Sequence, residues 1–457
     1  MIEVSHHLTS LIITERPMSC PRSYHAHQPT LTVEYSASTL SRWGFFPVIL
    51  QYLRRLELPR RLQGVTIPSA PNAHFKPTDK LMTLVTVFIT GIARISHIDR
   101  TLAGESALAR LLGLDRFPSS DTLYALLGKI SAWHVKQVDR IHRTYLDEQA
   151  RFDQGTVIAD LDLSVKSTEG RKRQGATPGY NPHHKGRDCY QWAVAFAAGV
   201  VVWQQLYEGG TSGQGVVRTA LEALRRRMPH LSILRLDGGF LAAKVLNLLV
   251  SQHVGFLTKA GTKLVSIRTL LERTRCEQWQ SYDEDTRLCR WNQVRLLDDF
   301  RTPVTVVLVE CRRRIKRRKK GRVYWKTRTF HYAIVTDQHH WPTARIYETY
   351  KKRWAVENFF KESNQSFSSG KLPSSKFRGN QFFLGLLSMV YNLMQFFKRD
   401  CLPNGYRAVS FATVRRHFLE HAVIIEGDYE VEIHLILNED YPLQRTANLM
   451  LRKALAA

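Results

Sequence analysis

The stretch GTVIADLDLSV, residues 155–165, decides the class of fold. It is β-branched and apolar, and it alternates, which is the pattern of a strand. Downstream the same grammar continues. YQWAVAFAAGVVVWQQLYEG (190–209) reads as two strands around an Ala-Ala-Gly turn, and GQGVVRTALEALRRRM (213–228) as an amphipathic helix. LSILRLDGGF (231–240) is a strand that ends at an acid and two glycines. LAAKVLNLLVSQHV (241–254) is a helix and GFLTKAG (255–261) a short strand. Strands first, then helix and strand in alternation, describe a mixed α/β sheet.

Further along, residues 262–331 break into short strand-like pieces, QWQSYDED, CRWNQVRLL, TPVTVVLVEC and RVYWKTRTFHYAIV, so a mostly β insertion is expected there. ARIYETYKKRWAVENFFKES (344–363) holds no Gly or Pro and predicts one long helix. A second apolar helix is expected from Gln381 to Lys398. The tail, 405–457, reads as a helix, a hairpin (AVIIEGDYEVEIHLIL) and a last short helix.

Upstream the pattern is helical from Ser38 to Ala150. WGFFPVILQYLRRL (43–56) and LMTLVTVFITGIARI (81–95) carry apolar residues at helical spacing. SALARLLGLDRFPSSDTLYALLGKI (106–130) reads as helix, turn, helix, with Ser119 or Ser120 as the cap of the second. Such a unit either lies on DNA or is an ordinary αα-hairpin. The layout expected is a polar N-terminal segment (1–35), a helical DNA-binding domain (36–152), a catalytic core in two parts (153–261 and 332–400) split by the β-rich insertion (262–331), and an α+β region (401–457).

The charge narrows the partner. The 457 residues carry 66 Lys and Arg against 40 Asp and Glu, a net +26. Such an excess costs self-repulsion in the folded state. A polyanionic partner is the usual reason, because each cation placed on a phosphate releases counterions; the alternative is a solvated basic surface kept only for solubility. The charge is densest in CRRRIKRRKKGRVYWKTR, and residues 300–330 hold twelve Lys or Arg with Glu310 as the one acid. Arg317, Arg318, Lys319 and Lys320 are therefore candidates for DNA backbone contact. The six cysteines show no C-x-x-C spacing, which argues against structural zinc and against a disulfide framework. MIEVSHHLTS has no signal-peptide pattern, and the two long apolar runs, 81–98 and 382–397, are each interrupted by polar residues and read as buried helices. A reduced, cytoplasmic protein is expected.

Four acids are candidates for the chemistry. Asp160 and Asp162 lie two apart on the 155–165 strand and so share a face. Carboxylates in an apolar strand need a partner, a metal or a solvent-facing strand end. Asp237 stands at the carboxyl end of its strand, where ligands of open α/β sheets gather, although Asp before Gly-Gly is also a turn signal. Glu357 is in the expected long helix, and Tyr350, Arg353, Glu357 and Asn364 recur at spacings that place them on one helical face.

Together these residues resemble a bacterial insertion-sequence DDE transposase of the insertion sequence four type. In that family the first acid is followed two residues later by Ser or Thr, which Asp162-Leu163-Ser164 matches and Asp160 does not. RLDGGF matches the second motif. The third is Tyr, two residues, Arg, three residues, Glu, six residues, Lys; Tyr350, Arg353 and Glu357 match it, but the last position is Asn364, with Lys361 one turn earlier as a substitute. GYNPHHKGRDCY (179–190) and RFPSSDTL (116–123) also look like family elements. The resemblance implies an RNase H-like mixed sheet with a β insertion between Asp237 and Glu357. It implies that Asp162, Asp237 and Glu357 hold two Mg²⁺ ions, with Mn²⁺ as a possible substitute, for in-line attack at phosphorus. It further implies cut-and-paste cleavage and joining of double-stranded DNA bearing terminal inverted repeats into target DNA, by a homodimer. Tyr350, Arg353, Lys361 and Asn364 would then meet DNA. Trp325 would stack on an unpaired base near the cut, in competition with Trp279, Trp291 and Trp341. His183 and His184 lie in a basic loop, as phosphate contacts or solvated groups. Two other readings stay open: an RNase H-like nuclease that cuts without joining, and a silent DNA-binding derivative of a transposase.

Overall fold

The computed structural model describes residues 40–456, except 151, 153–155, 169–171, 183, 320–321, 427–432 and 439. The polar segment 1–35, Cys20, His183 and Lys320 lie outside the described residues. In chain order, β1 (Leu40–Ser41) leads into helices α1 (Phe46–Arg55), α2 (Leu58–Gln63), α3 (Pro77–Thr90), α4 (Ile98–Thr101), α5 (Ser106–Leu111), α6 (Ser120–Gly128) and α7 (Ala132–Gln149). The α/β part follows with β2 (Val157–Ser167), β3 (Thr177–Pro178), β4 (Asp188–Ala197), β5 (Val200–Glu208), α8 (Gly213–Arg227), β6 (Leu231–Leu236), α9 (Ala243–Ser251) and β7 (Gly255–Gly261). Then come α10 (Val265–Arg273), β8 (Gln280–Asp283), β9 (Thr286–Val294), β10 (Val304–Lys319) and β11 (Arg322–Thr336). The chain closes with α11 (Thr343–Lys351), α12 (Trp354–Ser366), α13 (Phe377–Cys401), α14 (Asn404–Arg407), α15 (Phe411–Val414), β12 (Val423–Glu426), β13 (His434–Ile436) and α16 (Gln444–Ala456).

The expected mixed α/β sheet is present, and it is larger than the sequence suggests. It runs β3-β4-β2-β6-β7-β11-β10-β9-β8, with β5 paired to β4. β2, β6 and β7 are parallel and the rest of the sheet pairs antiparallel. The expected β insertion is therefore not a body apart. Its strands extend the central sheet, because β11 pairs through Tyr332–Thr336 with β7. The expected boundary at residue 331 falls inside β11, and the segment opens on a helix, α10. The β4–β5 turn is at the expected Ala-Ala-Gly, where Ala198 (φ 50°) and Gly199 (φ 83°) both take the left-handed conformation of a tight hairpin.

Register fixes what each face of the sheet carries. Asp160 pairs with Phe196 on one side and Arg235 on the other, and Ser164 pairs with Trp192. That face is covered by the aromatics of α12, which meet Trp192 and Phe196. It is also covered by α11, whose Ile346, Tyr347 and Tyr350 cluster with Ile233, Leu257, Val307 and Ile334. The reverse face is packed by α8 and α9.

The helical N-terminal region is not a separate unit either. α3, α6 and α7 pack on α13, which is buried along almost its whole length. His142 on α7, Asn392 on α13 and the backbone of Val201 on β5 form one buried hydrogen-bonded tie. α6 starts at Ser119, whose hydroxyl accepts from the Thr122 amide, so of the two candidate caps it is Ser119; Ser120 instead bonds Asp99. The apolar run expected over 81–98 stops at Thr90, because Gly91 turns left-handed with φ 73°. Among the described residues no single helix is long and apolar enough to cross a membrane. The tail hairpin forms as expected, and its strand β12 also pairs with β1 from the other end of the chain.

Candidate active site

The long helix expected over 344–363 is two helices. α11 ends at Lys351 and α12 begins at Trp354. At the junction the backbone bonds tighten to three-residue spacing, with the amides of Arg353, Ala355 and Val356 donating to the carbonyls of Tyr350, Lys352 and Arg353. The break turns Arg353 inward, so that it is only 8% exposed while Lys352 and Trp354 stay on the surface.

The Arg353 guanidinium faces three carboxylates. Nη1 donates to Asp162 Oδ2 at 2.9 Å. Nη2 lies 3.8 Å from Asp237 Oδ1 and is ion-paired with Glu357 Oε1. Asp162 comes from β2, Asp237 from the residue after β6 and Glu357 from the first turn of α12, so three elements converge on one cation. Burial opposes the Arg353 charge, but Asp162, Tyr350, Asp237 and Glu357 more than offset it and its pKa moves up. Burial also lifts the Asp162 carboxyl to about 6, against the pull of Arg353. Asp237 and Glu357 remain open, each with 48% of the side chain exposed.

Asp160 has a different partner. It is 1% exposed and takes both Arg235 donors at 2.7 Å, Nε to Oδ1 and Nη2 to Oδ2. Arg235 also donates to the Thr349 carbonyl, which ties β2 and β6 to α11. The two aspartates share a face as their spacing requires, but Asp162 joins Asp237 and Glu357 while Asp160 is closed off by a bidentate arginine.

The other expected contacts separate. Tyr350 is buried on α11, its hydroxyl donating to the Leu236 carbonyl at 3.4 Å, and braces the helix on the sheet. Lys361 is exposed one turn beyond Glu357. The Asn364 carbonyl is taken internally, by Lys166 Nζ and by Ser369 Oγ at 2.9 Å. Lys166 is a residue that the strand pattern passed over. It follows Asp160, Asp162 and Ser164 at every second position of β2, it is buried, and its ammonium also donates to Ser369 O at 3.1 Å and Oγ at 3.0 Å. Burial lowers its pKa to about 7. A lysine thus does reach position 364, from β2 rather than from the helix. Trp354 is 66% exposed, three residues before Glu357 and on its side of α12.

Arg317, Arg318 and Trp325 are exposed on the outer half of the β10–β11 hairpin, and Lys319 ends β10. Of the competing tryptophans, Trp341 is buried and Trp291 donates to Thr274 Oγ1 at 3.1 Å. Among the described residues no three His, Cys, Asp or Glu side chains form a ready metal cluster. The donors gathered on Arg353 are three carboxylates, hard oxygen ligands suited to Mg²⁺ or Mn²⁺ and unsuited to a thiophilic metal.

Residues 35–456 match the family model described as Transposase DDE domain group 1. The chain belongs to this transposase family. As a transposase it is an enzyme that breaks and rejoins DNA phosphodiesters, and members of the family use divalent metal ions. Among solved structures, the piggyBac transposase synaptic complex with hairpin DNA is 12% identical, with a TM-score of 0.46, over 91% of this chain and 80% of that one. The Mos1 transposase paired-end complex with left transposon end is 14% identical, with a TM-score of 0.17, over 42% of this chain and 60% of that one. The Mos1 mariner paired-end complex with Mn is 15% identical at a TM-score of 0.17, over 45% and 65%. No curated protein matches the chain.

Proposed function

We propose that Asp162, Asp237 and Glu357 are the catalytic acids of this transposase, which cuts double-stranded DNA at terminal inverted repeats and joins the ends to a target. The observation that carries the assignment is the single guanidinium of Arg353 shared by all three carboxylates. Three negative charges around one positive charge leave the pocket two short of neutral. Two divalent ions bound there would activate the entering oxygen and stabilise the leaving one; Mg²⁺ is the expected species and Mn²⁺ a substitute. Asp162, Asp237 and Glu357 would hold the ions.

The chain's own residues set the rest. Arg235 holds Asp160 and thereby the β2–β6 pair on which Asp162 and Asp237 sit. Lys166 ties β2 to the far end of α12. Arg353, beside the same carboxylates, would grip a DNA phosphate, which its planar fork fits. Exposed Trp354 and Lys361 stand on either side of Glu357 along α12, three residues before it and four after. In cleavage, water attacks phosphorus and the 3′ oxygen leaves with a proton. In joining, that 3′ hydroxyl gives up its proton and attacks a target phosphate in the same line, and the target strand's own 3′ oxygen leaves with a proton.

The reading extends to a bacterial transposase of the insertion sequence four type, acting as a homodimer in the cytoplasm at the nucleoid. Its RNase H-like core would comprise β2–β7 with α11–α13. β8–β10 and the outer half of β11 would be the insertion, and α1–α7 would be a DNA-binding helical region.

The test is Mg²⁺-dependent nicking and strand transfer on duplexes carrying the element's ends. Ala at Asp162, Asp237 or Glu357 is expected to lower both by roughly a thousandfold or more, the several kcal/mol that metal-assisted charge stabilisation supplies. Asp160→Asn is expected to keep the metal dependence. Nicking that survives loss of all three acids would overturn the triad. Nicking without joining would favour a nuclease.

A further inference from the structure

β10 and β11 pair residue for residue from Thr305 opposite Thr336 to Lys319 opposite Arg322. The inner half is core, with Val306, Val307, Leu308 and Val309 fully buried. From Arg312 outward the ribbon leaves the body, and almost every described side chain is exposed on both sides. Residues paired directly across an antiparallel ladder share a face, and faces alternate along each strand. One face therefore carries Arg312, Arg314, Lys316 and Arg318 with Trp325. The other carries Arg313, Arg317, Lys326 and Arg328 with Tyr324. Among the residues whose side chains are described, each face has four cations and one exposed aromatic, and no acid lies anywhere between residues 311 and 330. On the first face Arg314 lies over the Trp325 ring at 5.8 Å.

The register tells which face looks where. Tyr324 and Arg328 are on the side of Tyr332 and Ile334, which continues through Lys259 and Leu257 to Arg235 and Asp160. The Tyr324 face is thus the side of the sheet that carries the acids. The Trp325 face is the reverse side, so Trp325 does not share the side of the cut and Tyr324 does.

A ribbon that laid one side on one duplex would need cations on that side only. Four more on the reverse would add self-repulsion and nothing else. Cations on both faces call for phosphate on both. From residue 312 to 318 the ribbon spans about 20 Å, along which a duplex presents on the order of twelve charges. Each face is long enough to engage a backbone of its own. We propose that the outer half of this hairpin holds two DNA duplexes at once, the Tyr324 face gripping the one being cut and the Trp325 face a second. Naming the first as the duplex being cut rests on the catalytic reading above; two-sided binding does not.

The experiment uses the full chain and two fourfold variants with fully exposed substitutions. One is Arg313→Gln, Arg317→Gln, Lys326→Gln and Arg328→Gln; the other is Arg312→Gln, Arg314→Gln, Lys316→Gln and Arg318→Gln. Thermal melts check that both stay folded. A biotinylated 40-base-pair duplex is immobilised, and capture of a second, fluorescent duplex is measured against salt, alongside Mg²⁺-dependent nicking of the first. The Trp325-face variant is expected to bind and nick the first duplex within about threefold of the parent. Its capture of the second should fall at least about tenfold, with a salt slope shallower by up to about 3.6. The Tyr324-face variant is expected to lose nicking by at least about tenfold. Equal losses in both assays for both variants would show one duplex gripped from two sides and overturn the proposal. So would capture unchanged in both. A parent that bridges duplexes but never nicks would instead count against the catalytic reading and leave two-sided binding standing.

Discussion

Arg353 is the residue on which the site turns. It is a cation held at the point where three acids meet, 10% exposed at the side chain. Removing one partner of a buried ion pair leaves the other charges uncompensated, at a cost of about 3–5 kcal/mol. Arg353→Ala is therefore expected to lower the unfolding free energy of the metal-free protein, read by urea denaturation, by up to that order, and Mg²⁺ is expected to restore more stability to the variant than to the parent. Arg353→Lys should rescue little, because an ammonium is a point charge and cannot present two donors to three carboxylates. Equal Mg²⁺ effects on parent and variant would contradict this account. Asp160→Asn is the companion case. It should cost stability by leaving Arg235 half-paired, while Mg²⁺ still stabilises the variant, as mass action requires of any ligand that binds only the folded state.

Between elements, two buried ties do the positioning. Lys166 joins β2 to α12 and to Ser369 beyond it. Lys166→Met keeps the volume and removes a buried charge, so melting should change little. Nicking should fall ten- to a hundredfold as Glu357 loses its fixed relation to Asp162. A variant as fast as the parent would make Lys166 only a packing residue. The second tie holds α7, α13 and β5 through His142, whose Nε2 accepts from Asn392 Nδ2 at 2.7 Å and so must be unprotonated. Burial lowers its pKa from 6.5 to about 3, helped by Arg227 and opposed by Asp139. The unfolded chain binds the proton first as pH falls. This contribution to stability is thus complete above about 6.5 and is lost on the way down to about 3, a few kcal/mol in all. His142→Gln should flatten the fall in urea midpoint across that window. The break between α11 and α12 belongs to the same scale. Residues 344–363 hold no Gly or Pro, so nothing local announces it. It follows from two packing demands, α11 on the Leu257–Ile334 side of the sheet and α12 on Trp192 and Phe196.

For the whole molecule, the regions that composition separates are joined. α13 lies between the helical region and the sheet, and α1 packs on α16 from the far end of the chain. A fragment of residues 36–152 alone is expected not to fold cooperatively, since α3, α6 and α7 would expose the faces that α13 covers. A sharp thermal transition with native helix content in that fragment, read by circular dichroism, would show an autonomous domain instead. The +26 charge is likewise concentrated, with its densest run lifted off the body on the β10–β11 ribbon.

The sequence by itself determined the element types, because alternation and helical spacing are local patterns, and it determined which three acids to suspect, because each stands at a strand or a helical register that strands and helices make regular. It also marked the basic ribbon, since charge is a property of composition. Only the tertiary structure gave Asp160 and Asp162 different partners. Both point the same way along β2, and the difference is Arg235 on the neighbouring strand against Arg353 on a distant helix. Only the structure brought Lys166 to Asn364, broke the helix at Arg353, merged the insertion into the central sheet and put Tyr324 rather than Trp325 on the side of the acids. Each of these depends on pairings between segments tens to hundreds of residues apart, where spacing along one strand or helix carries no information.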